Sequence, residues 1–146
     1  MKSQYTLKEL LLMVQEEVQR SHLDRITSAS DVYCVLYDYA DKDQEHFLLL
    51  TLDGASKIIE KRVIHIGTLN QSLVHPREIF RPAITDGAAG IVIAHNHPSR
   101  TIEPSRADIQ ITQRLKEVAK LVGIELLDHV ILTEQGFYSF SEEGDL

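Results

Sequence analysis

The apolar run Gly90-Ile-Val-Ile-Ala94 passes without a break into His95-Asn96-His97, and this junction constrains the fold more than any other stretch of the chain. A continuous apolar run bounded by glycine suits a strand buried on both faces. Such a strand lies inside a sheet that helices cover, so the rest of the chain must supply them. Thr6 and Glu9 have capping-box spacing, and Leu7, Leu10, Leu11, Val14 and Val18 follow at helical period. Ser28 and Asp31 repeat the signal ahead of Val32, Val35, Leu36 and Tyr39. Both stripes are expected to be core. "HFLLLTL", ended by Asp53-Gly54, and the alternating "SKIIEKRVIHIG" read as a β-hairpin in which His65 is structural.

Pro76 suits the first turn of a helix through "REIFRPAI", which Pro82 is expected to kink or end. Ser105 opens a long amphipathic helix with the stripe Ile111, Leu115, Val118 and Val122, closed by Gly123. "IELLDHVIL" and "GFYSF", joined by a turn at Glu134 to Gly136, finish the chain as strands. The predicted order is α-α-β-β-α-β-α-β-β, a single mixed-sheet α/β domain with flanking helices. The 146 residues suit one domain, and 43% hydrophobic with 25% charged residues is the balance of a soluble globular protein.

Composition also removes several functions. No apolar run approaches the ~20 residues that cross a bilayer, and Leu10 to Val14 is too short for a signal peptide, so a cytoplasmic protein without membrane association is expected. The single cysteine, Cys34, can form neither an internal disulfide nor a multi-thiolate metal site and is expected as a small buried hydrophobe. A formal net charge of -7 disfavours phosphate backbones as partners. Arg106, Arg114, Lys116 and Lys120 read as a solvated helix face, which Glu117 interrupts.

The chemistry concentrates in "HNHPSRTIEPSRAD", His95 to Asp108. Strand alternation sends His95 and His97 to one side and Asn96 to the other. Two imidazoles then converge, and a zinc site with an open position takes three protein ligands. Asp108, in the first turn of the following helix, can be the third ligand or the acidic partner of a capping box, and Ser105 can cap the helix or lend its hydroxyl to the site. Capping and chance explain Ser105 and Asp108 but leave the paired histidines unexplained. In "DHV", Asp128 and His129 can stand behind the site or be simply packed.

The motif resembles the JAMM (MPN-plus) signature, H-x-H followed by seven residues, Ser, two residues and Asp, in the version found in RadC-like proteins. "GTLNQSLVHPREIF", "ADIQITQRL", "LLDHVIL" and "YSFSEEG" extend the resemblance over roughly residues 30 to 146. It divides the chain into an N-terminal helical segment, 1–27, and a RadC-like JAMM/MPN domain, 28–146, and implies the JAMM (cytidine-deaminase-like) fold. Arg100 stands where these proteins usually carry Gly. Residues 1–27 offer one amphipathic helix in place of the helix-hairpin-helix region of longer RadC proteins.

The resemblance implies a zinc-dependent hydrolase in which a metal-activated water attacks a peptide or isopeptide carbonyl. His95, His97 and Asp108 would bind Zn2+, and Ser105 would stabilise the oxyanion. Its partner would be a peptide or protein substrate. A DNA-repair-associated protein and a metal-bearing interaction module without catalysis are the competing readings. An intact ligand set favours the hydrolase over the module, and the acidic charge weighs against nucleic acid. A cytidine-deaminase site is excluded, because it requires H-x-E with a C-x-x-C pair. The general base must be a carboxylate from another element, for which Glu45 and Glu78 compete. Glu78 is explained by its place in a helix's first turn. The resemblance favours Glu45, since "QEHF" occupies the like place in the RadC pattern.

Overall fold

The computed structural model describes residues 5–22, 24–68 and 74–146, with backbone alone for 16–22. Along the chain run α1 (Leu7–His22), α2 (Ala29–Val35), a 3-10 turn (Tyr37–Tyr39), β1 (His46–Leu52), β2 (Ile58–Ile66), α3 (Pro76–Thr85), β3 (Gly90–Asn96), α4 (Arg106–Val122), β4 (Glu125–Thr133) and β5 (Gly136–Ser139). This is the order that the patterning predicts. The strands form one five-stranded sheet, β2-β1-β3-β4-β5. β3 runs parallel to β4 and antiparallel to β1, while β2 and β5 pair antiparallel at the two edges.

The apolar strand at Gly90 is the central one, and every residue of β3 is buried. One face of the sheet, with Phe47, Leu49, Ile91 and Ile93, packs against Ile79, Phe80 and Ala83 of α3 and Ile111, Leu115 and Ala119 of α4. The other face, with Leu48, Leu50, Val92, Ala94, Val130 and Leu132, takes Ala29, Val32 and Leu36 from α2 and the turn after it. Fully burying a side chain of this size stabilises by about 1.5–3 kcal/mol, so the two apolar faces of β3 alone account for the three-layer arrangement. Gly90 lacks a side chain because the next strand presses on it: a Cβ there would stand 2.9 Å from Cδ1 of Leu127. Gly123 ends α4 with φ of 83°, a left-handed turn that glycine enters without steric penalty.

Several expectations are corrected. The capping box of α1 forms, with Thr6 and Glu9 each accepting from the other's amide at 3.1 Å. Its stripe, however, is not core: Leu7, Leu10, Leu11 and Val14 are exposed, while the Val18 side chain lies outside the described residues. Periodicity establishes an amphipathic helix but not a partner for it, and α1 meets the body chiefly at α2. α2 stops at Val35, so Tyr39 belongs to the 3-10 turn. Ser28 caps α2 as predicted, its hydroxyl accepting from the Asp31 amide at 3.4 Å, but the Asp31 carboxylate accepts from Thr27, one residue earlier than in the predicted box.

Pro82 does not end α3, which continues to Thr85. The hydrogen bond it removes is one to the carbonyl of Glu78, an exposed residue. Val122 is exposed, and Ala119 takes its place in the stripe of α4. Cys34 is half-buried rather than buried. Among the described residues no helix is long and apolar enough to cross a membrane.

Candidate metal centre

His95 is the penultimate residue of β3, and His97 follows the strand's end with its amide still bonded to the carbonyl of Leu132 on β4 at 3.0 Å. Pro98 then has no N–H to continue the ladder, and the chain turns, the Arg100 amide reaching the His97 carbonyl at 2.9 Å. Arg100 adopts φ of 69°, the left-handed conformation for which glycine is the usual residue. The loop returns at Ser105, the N-cap of α4, and Asp108 stands in the first turn. The two readings of Ser105 and Asp108 coexist. The Ser105 hydroxyl accepts from the Asp108 amide at 3.0 Å, and Asp108 Oδ2 accepts from the Ser105 amide at 2.8 Å.

The same carboxylate faces both histidines. Asp108 Oδ1 lies 3.1 Å from His95 Nε2, Oδ2 lies 3.0 Å from His97 Nε2, and the two Nε2 atoms are 2.9 Å apart. All three residues are buried and can hold one metal ion among them. Tetrahedral ligands at zinc distances stand about 3.3 Å apart, so these atoms need to open by only a few tenths of an ångström.

Hydrogen bonds behind the rings dictate which way their lone pairs point. The Thr112 hydroxyl has one proton, which goes to the carbonyl of Asp108 at 2.7 Å. The 2.5 Å contact between Thr112 Oγ1 and His129 Nδ1 therefore has the ring N–H donating. His129 is fully buried, with its ring stacked on Phe140 at 4.7 Å. Burial, and then the nearby His95, holds its pKa well below the usual histidine range, so the ring is neutral and its Nε2 is an acceptor. It accepts from His95 Nδ1 at 2.8 Å. With its Nδ1 donating, His95 leaves Nε2 as the nitrogen that faces Asp108. His97 is set the same way by the Thr101 carbonyl, which accepts from Nδ1 at 2.7 Å.

Two imidazole lone pairs and a carboxylate thus point at one another in a buried space. Such a set repels itself unless a proton or a metal cation stands among its members. In proton terms, burial lowers the His97 pKa, but Asp108, the Thr101 carbonyl and the charge of Glu45 together leave it raised. Burial likewise works to raise the Asp108 carboxyl, yet the hydrogen bonds from His95 and His97 hold it well below the usual carboxylate range. With Nδ1 of each ring bound from behind, His95 and His97 turn Nε2 toward the Asp108 carboxylate, and two imidazole nitrogens with one carboxylate form a donor set suited to zinc.

The remaining candidates divide clearly. Glu45 is half-buried just before β1. Phe47 pairs with His95 across β1 and β3, and its ring stacks on that histidine at 6.2 Å, so continuing the antiparallel register sets position 45 opposite position 97. Glu78 is exposed in the first turn of α3. Asp128 points to the opposite face from His129 and bonds to Ser139 and to the Ser141 and His129 amides. Arg106, Arg114 and Lys120 are exposed as expected, while Lys116 is half-buried. His65 lies on β2 opposite Phe47, half-buried. Thr112 and Thr101 were not anticipated. Thr112 has a signal in the sequence, since it follows Asp108 by one helical turn on the same face; Thr101 contributes only its backbone and has none.

The family model described as the RadC-like JAB domain matches residues 26–145. The chain is 50% identical over 132 residues to a UPF0758 protein of Methanospirillum hungatei JF-1, covering 90% of this chain and 57% of that one. It is 52% identical over 123 residues to a UPF0758 protein of Clostridium perfringens (84% and 54%), and 48% identical over 122 residues to one of Rubrobacter xylanophilus (83% and 53%). The chain therefore spans little more than half the length of these relatives. On the match across most of its length, it belongs to the family of RadC-like JAB domains.

Proposed function

We propose that this chain is a zinc-dependent hydrolase of the JAMM type, acting on a peptide or isopeptide carbonyl. The observation that carries the reading is the inward convergence of His95 Nε2, His97 Nε2 and the Asp108 carboxylate, each held from behind by the protein's own hydrogen bonds. His95, His97 and Asp108 would hold the zinc, which would supply Lewis-acid polarisation of the carbonyl and a water of pKa lowered to about 7. Glu45 takes the proton of the attacking water and returns it to the leaving nitrogen, which requires a carboxylate from outside the ligand loop. Ser105 uses its oxygen to accept from the Asp108 amide, so its proton remains to donate to the developing oxyanion.

The test uses zinc-loaded protein and two probes of equal composition, a linear peptide and a branched one joined through a lysine side-chain amide, with cleavage followed by mass spectrometry. Hydrolysis of either probe is expected from the wild type and from Glu78→Gln. Glu45→Gln should retain zinc and fold but lose at least 100-fold in rate, the usual range for a general base. Full activity of Glu45→Gln, or cleavage that persists once a chelator has removed the zinc, overturns the reading.

A further inference from the structure

Asn96 sits between the two histidine ligands, yet its side chain leaves β3 on the opposite face from the metal centre. It is fully buried, and its amide is committed entirely to one short stretch of backbone. Oδ1 accepts from the His46 amide at 2.6 Å, and Nδ2 donates to the carbonyls of Lys42 at 3.2 Å and Gln44 at 3.0 Å. Because one partner is an N–H and the other two are carbonyls, only one orientation of the amide satisfies all three.

These partners flank Glu45. Residues 42–45 precede β1 and are not part of its ladder, so no sheet pairing fixes them. Instead the peptide groups on both sides of Glu45 are bound to Asn96, while the Glu45 carbonyl itself accepts from the Gly67 amide at the end of β2, at 2.9 Å. The Glu45 backbone is thereby clamped from two strands.

We propose that Asn96 is a positioning residue, whose side-chain amide ties the segment carrying Glu45 to the strand carrying His95 and His97 and so sets the distance between carboxylate and metal centre. This rests on the reading of Glu45 as proton carrier. The ligands do not depend on the amide, since their strand is held by its ladders with β1 and β4 and by the His97 amide bond to Leu132. Removal of the amide should therefore separate two properties that unfolding or loss of the centre would move together.

The experiment compares wild type, Asn96→Ala, Glu45→Gln and the double variant, all zinc-loaded and all as the full chain. Acetohydroxamate is the probe, because a hydroxamate ligates zinc while its hydroxyl donates to a nearby carboxylate. Its dissociation constant is measured by calorimetry, zinc content by elemental analysis, and exchange of the His46 amide by NMR. Zinc content is expected to stay unchanged in Asn96→Ala, and His46 exchange to accelerate at least tenfold.

Acetohydroxamate should bind about tenfold more weakly to Asn96→Ala and to Glu45→Gln, the scale of one hydrogen bond, and the double variant should be no weaker than Glu45→Gln alone. A double variant weakened by the product of the two single effects shows that Asn96 acts independently of Glu45 and overturns the proposal. So does loss of zinc from a folded Asn96→Ala protein, or unchanged His46 exchange. If Glu45→Gln binds the hydroxamate like wild type, the role of Glu45 falls and the positioning role falls with it, whereas the exchange result separately decides whether Asn96 holds the segment. Should Asn96→Ala not fold, Asn96→Ser, which keeps one acceptor and one donor, carries the same comparison.

Discussion

His129 Nε2 accepts a hydrogen bond from His95 Nδ1 at 2.8 Å, so a fully buried histidine on β4 dictates the direction in which a candidate metal ligand on β3 presents its lone pair. Outer partners of this kind typically account for 10- to 100-fold in metal affinity. His129→Leu is therefore expected to weaken zinc binding by about that range, while His129→Gln, which can both accept from His95 and donate to Thr112, recovers most of it. Competition with a chromophoric chelator measures the affinities, and circular dichroism checks the fold. Equal affinities in the folded Leu and Gln variants would show that His129 only fills space.

The ligand set itself makes a simpler demand. One zinc per chain is expected from protein purified without a polyhistidine tag, and none from the variant carrying His95→Ala and His97→Ala, because a lone carboxylate is a weak zinc site. Elemental analysis decides it; unchanged metal content in the double variant would move the centre elsewhere.

Arg100 provides a test of backbone strain. It holds φ of 69° in the loop between the ligands, a conformation that disfavours a residue with a Cβ by about 1–2 kcal/mol. Part of that is offset by the larger chain entropy that glycine loses on folding. Arg100→Gly is accordingly expected to stabilise the protein by about 0.5–1 kcal/mol, a rise in Tm of roughly 1–4 °C. Calorimetry that finds a lower Tm would mean that the Arg100 side chain contributes more than its conformation costs.

A pH effect is expected away from the centre. Asp86, at the end of α3, accepts from Arg62 of β2 and from the Thr51 hydroxyl of β1, the latter at 2.9 Å. The Arg62 guanidinium, followed by the Thr51 hydroxyl, outweighs burial and holds the carboxyl below its ordinary value of 3.8. A carboxyl depressed in the folded state adds stability at pH values above that ordinary value, and the contribution is lost as pH falls through the folded-state pKa. The stability difference between wild type and Asp86→Asn should thus be largest near neutrality and shrink below pH 4. Urea midpoints across pH 3 to 7 report it, and a difference that is constant with pH would assign the effect of the substitution to packing.

Much of this molecule was legible in one dimension. The period-2 and period-3.6 patterns yielded every element of the sheet and its helices in order, and H-x-H at a strand end with Ser and Asp at a helix start yielded the trio that converges in the structure, His95, His97 and Asp108, because those properties depend on residues near one another in sequence. Periodicity could not say which amphipathic faces find partners: Leu7, Leu11 and Val14 carry the stripe of a core helix and remain exposed. Nor could it foresee that Pro82 would sit inside α3, where the lost hydrogen bond falls on an exposed turn.

The supporting shell is a product of strand order alone. Placing β3 between β1 and β4 brings His129 behind His95 across 34 residues of sequence and the Lys42 to His46 segment beside Asn96 across about 50. Local sequence determined which donors this chain offers a metal. Only the sheet, by closing distant segments onto one strand, decided how those donors are aimed, since hydrogen-bond direction depends on where a partner lies in space and not on how far away it lies along the chain.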